Sequence, residues 1–298
     1  MIINGVTIDE TFAEAFPMKG TRLIITALNA KWAMISAQTF TGFATSVIAC
    51  GCEAGIEKVL DTSETPDGRP GVSILIFAMG GKSLAKQVET RSGQCVLTSP
   101  TSALFSGLDS ETEIALGQNL RFFGDGFQIS KMIDGKRYWR IPVMDGEFLT
   151  QEKTGVQASV GGGNFLVLAE SQEQALIACE AAIVEMKKCP NVIMPFPGGV
   201  VRSGSKVGSK FKALNASTND AFCPTLKGQT KSDLSPEVES VMEIVIDGLT
   251  KEDIDVAMRV GIQAVCDLGA ENGIRRISAG NYGGKLGPFH FHLQEIMA

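Results

Sequence analysis

Residues 73–93 can be laid on residues 241–261 without a gap, and this internal repeat constrains the fold more than any other feature of the chain. Ile76 then meets Ile244, Gly80 meets Gly248, Val88 meets Val256, Arg91 meets Arg259 and Gly93 meets Gly261. Five identities in twenty-one positions are weak alone. They gain weight because the surrounding elements recur in one order: strand, helix, strand, loop, strand, helix, strand. That order is the split βαβ, or ferredoxin-like, pattern. Twice over in 298 residues, it predicts an α/β (α+β) chain of two ferredoxin-like βαββαβ lobes from internal duplication, each with its own core.

Local signals place the elements. Asn4-Gly5 closes a short N-terminal hairpin over residues 2–8. Residues 23–27 form a buried strand, Asn29 caps a helix, and residues 43–50 alternate into a second strand. The polar turn at 64–71 (ETPDGRPG) leads to a strand at 72–78 and a helix at 83–96. From 119 the chain changes character. FFGDGF at 122–127 and the turns Asp134-Gly135 and Asp145-Gly146 mark a β-rich insertion. Gly161–Gly163 opens the second lobe. Ser171-x-x-Gln174 is a capping box before the first of its helices, and Thr250-x-x-Asp253 starts the second. The expected division is 1–118 for the N-terminal lobe, 119–160 for the insertion and 161–298 for the C-terminal lobe.

Composition excludes several classes. A net charge of −6 without a Lys/Arg cluster argues against nucleic-acid binding. No apolar run reaches the length of a membrane span, and the N-terminus lacks the basic and apolar regions of a signal peptide. Seven cysteines, an odd number with no CxxC pair, fit reduced thiols in a cytoplasmic protein.

Candidate chemistry gathers at 196–226 and in the strand at 241–247 (VMEIVID). Under the internal alignment Glu243 takes the place of Leu75. One lobe fills a central strand position with an apolar side chain and the other puts an acid there. A carboxylate covered on such a strand without a partner is desolvated and its pKa rises, so it can exchange protons near neutral pH. The alternatives are an edge-strand glutamate facing solvent, or one paired with Lys206 or Arg202.

The stretch 196–210 (FPGGVVRSGSKVGSK) is rich in glycine and small hydroxyls, which lets backbone N–H groups face a ligand, but it lacks the P-loop spacing. ASTND at 216–220 adds donors suited to an oxyanion or a heterocyclic amide edge, or to a cap. Cys223 lies beside it. A nucleophilic cysteine needs a base, and the two histidines, His290 and His292, lie near the C-terminus with no third metal ligand close by.

Seven ordered motifs, ETPDGRPG, GQCVLTSPT, FFGDGF, FPGGVVRSGSKVGSK, ASTNDAFCPT, EIVIDGL and ISAGNYGGKLG, closely resemble the formylmethanofuran:tetrahydromethanopterin formyltransferase family over essentially the whole chain. The resemblance implies transfer of a formyl group between the amine of methanofuran, or an analogue, and N5 of tetrahydromethanopterin. These two would be carrier cosubstrates, with no tightly bound cofactor and no metal. It also implies a homo-oligomer, dimer or tetramer. FAEAFPMK, IACGCEAGIE and NLRFFGDGFQISK look closer to the methylotroph branch, where the resembling protein is a subunit of a formyltransferase/hydrolase complex. The family's key acid lies in the EIVI strand and lands on Glu243. The matching loops at 196–210, 216–226 and 278–287 make Ser203, Ser205, Lys206, Ser217, Thr218, Asn219, Cys223 and Asn281 the candidate substrate-binding residues. The competing expectation is a non-catalytic, pterin-binding scaffold subunit of such a complex.

Overall fold

The computed structural model describes residues 1–298. It divides into two compact units, one of residues 18–159 and one of residues 1–17 together with 160–298.

The first unit contains a βαββαβ lobe. Its strands are the part of Phe12–Thr26 from residue 18 onward, Glu53–Leu60, Gly71–Ala78 and Ala103–Ser106, and its helices are Ala30–Thr41 and Gly81–Arg91. Gly71–Ala78 lies between Phe12–Thr26 and Glu53–Leu60, and Ala103–Ser106 joins the far side of Phe12–Thr26. Spatially this is the order fourth, first, third, second, as a split βαβ unit requires. Every residue of Gly71–Ala78 is buried, as expected for a strand covered on both faces. The insertion continues the sheet: Gly146–Gln151 pairs in parallel with Ala103–Ser106, and Lys136–Val143 and Ile129–Ile133 follow antiparallel. The Asp134-Gly135 hairpin has both residues at positive φ, 49° and 77°, the type I′ geometry that matches strand twist.

Two local expectations change. Residues 43–50 do not form a strand. Ser46 caps a short helical turn at Val47–Cys50, Gly51 leaves it at φ 76°, and the strand begins at Glu53, whose carboxylate accepts the Val47 N–H. The alternating pattern alone cannot register this cap. The helix expected at 83–96 is α-helical over Gly81–Arg91 and then widens into a π turn at Ser92–Leu97.

The second unit repeats the lobe with Gln157–Ala169, Gln172–Met186, Val192–Ile193, Ser240–Gly248, Lys251–Leu268 and Ile274–Ser278. Ser240–Gly248 pairs with Gln157–Ala169, which pairs in turn with Ile274–Ser278. Of the box expected at Ser171 only one half forms: Ser171 Oγ accepts the Gln174 N–H, while the Gln174 side chain accepts from the Ser171 hydroxyl and not from its backbone. At the second helix Thr250 and Asp253 cap each other. The helices bury one face of the sheet through Phe165, Val167, Ile244, Ile246, Met186, Met258 and Ile262. Burial of each such side chain is worth about 1.5–3 kcal/mol. Gly261 sits where a Cβ would fall 2.5 Å from Met186 Sδ, so close helix packing requires glycine there.

Residues 1–17, expected in the first lobe, belong to this second unit. Val6–Ile8 pairs in parallel with Ile274–Ser278, and Phe289–His292 pairs antiparallel with Phe12–Ala15, so the sheet partners of the N-terminal arm lie at the far end of the chain. The Asn4-Gly5 turn has φ 47° and 78°, as the hairpin expects. No helix is long and apolar enough to cross a membrane.

Candidate active site

The second lobe departs from the first at one point, and the site forms there. In the first lobe Glu53–Leu60 covers the edge of the strand from Gly71 to Phe77, with Gly55 opposite Leu75. In the second, Val192–Ile193 reaches only Asp247 and Gly248. The edge at Glu243 would be bare. The long polar loop comes back to fill it: the Val201 N–H donates to the Glu243 carbonyl at 2.7 Å and the Glu243 N–H to the Val201 carbonyl at 2.9 Å. One residue pair thus stands in for a strand, and beside it a cavity of about 780 Å³ opens on the sheet face away from the helices.

Glu243 forms part of the floor. Strand alternation sends Met242, Ile244 and Ile246 to the helix side and Val241, Glu243 and Val245 to the cavity side. Leu166, Val201, Val241 and Phe222 line the cavity with it. Burial alone pushes its carboxyl up to about 7 from 4.5, and no cation offsets the effect. The expected alternative partner, Lys206, is ion-paired with Asp220 instead. This ion pair holds Asp220 below the ordinary carboxylate range.

Most of the sequence candidates converge here. Ser203, Ser205, Lys206, Thr218, Asn219, Cys223 and Asn281 line the same cavity as Glu243. Ser205 and Lys206 sit on the outgoing strand of a hairpin, Ser205–Val207, and Thr218 on its return, Ala216–Thr218. Ser217 stands apart: it pairs with Lys206, and its hydroxyl donates to the Gly208 carbonyl at 2.7 Å, so it closes the hairpin and does not line the cavity. The Cys223 thiol lies 3.2 Å from the Thr225 hydroxyl. His290 and His292 pack their rings on Phe12, at 4.7 and 5.2 Å between centroids.

Asn281 reaches the cavity wall with its amide already engaged. Its Nδ2 donates to Thr11 Oγ1 and the Phe12 carbonyl, and its Oδ1 accepts the Gly283 N–H. It holds the glycine-rich loop at 280–287.

Three further cavity residues carry no signal in the sequence. Tyr282 follows Asn281 on that loop and shares the cavity with Glu243. Its phenol is pushed up by burial first and by the Glu243 charge second, and a hydrogen bond with the Ser205 side chain draws it partly back. Asn164, on the central strand, clamps Gly280 from both sides, donating to its carbonyl at 3.1 Å and accepting its N–H at 2.6 Å. Arg276 is held by Asp9 at 3.4 Å and by the Asp233 carbonyl at 2.6 Å. The NYGG stretch marks a loop, but neither a phenol direction nor these long-range clamps leaves a periodic trace.

The arrangement offers one proton-exchanging carboxyl, several hydroxyl and backbone donors, and an enclosed wall, which suffices for acyl transfer without a covalent enzyme intermediate. Comparison with known proteins identifies the family. Residues 1–143 match the family model described as formylmethanofuran-tetrahydromethanopterin formyltransferase, and residues 146–296 match the model for its proximal lobe. A formylmethanofuran--tetrahydromethanopterin formyltransferase of Methylococcus capsulatus is 78% identical over 298 residues, covering 100% of both chains. A chain of the crystal structure of the formyltransferase/hydrolase complex from Methylorubrum extorquens, in complex with methylofuran, superposes with a TM-score of 0.98 at 50% identity, covering 100% of this chain and 99% of the other. The formylmethanofuran:tetrahydromethanopterin formyltransferase of Methanosarcina barkeri superposes at 0.94 with 47% identity, covering 99% and 100%. The chain therefore belongs to the formylmethanofuran-tetrahydromethanopterin formyltransferase family.

Proposed function

We propose that this chain moves a formyl group between the amine of a methanofuran-type carrier and N5 of tetrahydromethanopterin by direct attack in a ternary complex, with Glu243 carrying the proton. The observation that supports this reading is the Glu243 carboxyl on the cavity floor, held at about 7 by burial and free of any ion pair. The attacking nitrogen forms its bond to the formamide carbon and gives its proton to the Glu243 carboxylate. The carbonyl becomes a tetrahedral oxyanion. As the old C–N bond breaks, Glu243 returns the proton to the departing amine. No electron changes hands, and the carboxyl ends as it began.

In this reading the loop residues Ser203, Ser205, Thr218, Asn219 and Cys223, which line the cavity, bind the two carriers, and Arg202 supplies positive charge at the same wall, where Lys206 is already paired with Asp220. Holding both reactants in one cavity removes the bimolecular entropy cost, which is worth up to about 7–11 kcal/mol of barrier in well-oriented systems. Both carriers are cosubstrates that come and go.

A relative from Methylorubrum extorquens, 51% identical over 301 residues, is named as part of a formyltransferase/hydrolase complex, and this supports placing the present chain in a similar assembly. We infer a homo-oligomer within it, acting in the cytoplasm. Purification of the native protein with its associated subunits, followed by mass measurement, checks this.

The deciding experiment is Glu243→Gln. Formyl exchange between the two carriers should fall by about 10²-fold or more with KM little changed. A wild-type kcat in that variant would remove the proton-carrying role. Wild-type chain that binds the pterin carrier without exchanging formyl would instead favour the scaffold reading.

A further inference from the structure

We propose that Tyr282 is a second catalytic residue, donating its phenolic O–H to the oxygen of the tetrahedral intermediate, and that Glu14 is the positioning residue that holds it there. This deepens the reading of the cavity given above and rests on it.

The loop that carries Tyr282 is wound around a single buried carboxylate. Glu14 lies on the Phe12–Thr26 strand and is 1% exposed. Its Oε2 accepts the N–H groups of Tyr282 at 2.7 Å and Gly284 at 2.8 Å, and its Oε1 accepts those of Leu286 and Gly287, both at 2.6 Å. Burial opposes ionisation, but the four convergent amides together outweigh it and hold the carboxylate at about 2. Gly283 and Gly284 sit at φ 77° and 70°, and this left-handed turn is what lets the loop bend its amides inward. The Asn164 clamp on Gly280 and the Asn281 clamp on Phe12 complete the anchoring.

The loop thus anchored presents an aromatic side chain with a hydroxyl at its end. Tyr282 is 37% exposed, and it lines the cavity that holds Glu243. Its ring lies 6.1 Å from that of Phe16, and Ser205 lines the same cavity. A neutral phenol is a strong donor and stays protonated at neutral pH, so it can stabilise an oxyanion without taking up the proton that Glu243 must handle. The division of labour balances: Glu243 carries the proton between nitrogens, while the Tyr282 O–H bond stays intact and its hydrogen bond shortens as negative charge collects on the formyl oxygen. Glu14 never touches the substrate. Its effect passes through the loop.

The test uses the full chain, in the form in which the wild type exchanges formyl between the two carriers. Tyr282→Phe keeps the ring and removes the donor. It should lower kcat by about 10²-fold while both KM values stay within about threefold. Glu14→Gln should lose kcat too, because an amide cannot accept at both positions without presenting N–H to N–H. The double variant should then be no slower than the slower single one, since both act on the same hydrogen bond. Multiplicative losses would overturn the positioning role of Glu14. A kcat within about threefold of wild type in Tyr282→Phe, alongside an inactive Glu243→Gln, would overturn Tyr282 as donor and leave the role of Glu243 standing. Should Glu243→Gln stay active, the reading of Glu243 falls, and Tyr282→Phe still reports on the phenol by itself. If Glu14→Gln fails to fold, Tyr282→Phe decides alone.

Discussion

Val201 and Glu243 face each other across the edge of a strand and exchange both backbone hydrogen bonds, N···O 2.7 and 2.9 Å. The contact is made by a residue of the long polar loop, not by a neighbouring strand, because Val192–Ile193 is too short to reach that far. The same loop therefore does two things. It satisfies the backbone of the acid, and its glycines and hydroxyls wall the cavity into which the acid's side chain faces.

The raised pKa of Glu243 has a thermodynamic sign. The folded carboxyl, at about 7, binds its proton more tightly than the unfolded one at 4.5. Below about pH 4.5 the two states are equally protonated and no penalty exists. Between those values the folded state holds the extra proton, so stability falls as pH rises, and above 7 the full penalty remains. Glu243→Gln should thus match the wild type near pH 4.5 and exceed it by about 1–2 kcal/mol at pH 8, after allowing for the open side of the cavity. The same substitution should erase the acid limb of kcat/KM near pH 7. Urea unfolding at both pH values checks the first effect, and equal stability at pH 8 would mean that the carboxyl is not desolvated.

Glu14 has the opposite sign. Its folded value of about 2 lies below 4.5, so its contribution is complete above about pH 4.5 and is lost as pH falls through 2. Glu14→Ala leaves four backbone amides without their acceptor, at a cost of about 3–5 kcal/mol. Amide hydrogen exchange at Tyr282, Gly284, Leu286 and Gly287 should accelerate first, before the helices of the same unit. Unchanged protection at those four sites would show that the loop is held by something other than Glu14.

What the sequence discloses follows from the range of the interactions. The capping pairs Ser171/Gln174 and Thr250/Asp253, the Asp134-Gly135 turn and the helix faces are local, so composition and spacing reveal them. The oddity of Glu243 is legible because its lobe has a twin to compare, and the family resemblance then suggests the role proposed for that acid. Hydroxyl chemistry groups Ser217 with its neighbours, whereas its pairing with Lys206 and its bond to Gly208 decide its direction. Glu14 and Tyr282 lie 268 positions apart and meet through a backbone N–H, a contact that any residue type at 282 could make. Residues 43–50 mislead because an alternating apolar pattern carries no information about the Ser46 cap and the left-handed Gly51.

Gly199 governs how the loop reaches Glu243. It sits at φ 90°, and a Cβ there would fall 2.4 Å from Ile183 Cδ1 and 3.1 Å from Cγ1. Gly199→Ala combines backbone strain with overpacking against the Gln172–Met186 helix, for a loss of about 2–4 kcal/mol. The chain two residues further on, at Val201, should shift with it, so kcat/KM falls by more than about tenfold even where the protein remains folded. Adding Ile183→Ala, which empties the space the new methyl needs, should restore part of the activity. No recovery in the double variant would place the defect in the backbone conformation alone.

The equivalence of Leu75 and Glu243 can be tested by exchange. Leu75 is fully buried in a strand with no exposed residue, and its neighbours in the sheet, Arg22 and Gly55, belong to complete strands. Every residue of that strand is buried, and the neighbouring cation, Arg22, is already held by Glu57 through two hydrogen bonds. Leu75→Glu therefore buries an ionisable group without a site for it and should cost more than about 4 kcal/mol, enough to unfold residues 18–159 under mild conditions. Glu243→Leu should do the reverse, gaining about 1–3 kcal/mol from apolar burial while abolishing formyl exchange. Denaturant unfolding of both variants, with exchange assays on the second, separates stability from chemistry. The two halves of the duplication would then be seen to differ because a truncated strand and a returning loop made room for one carboxylate. A Leu75→Glu chain that stayed within about 1 kcal/mol of the wild type would show that the position tolerates an acid in either lobe, and the cavity would no longer explain why Glu243 is there.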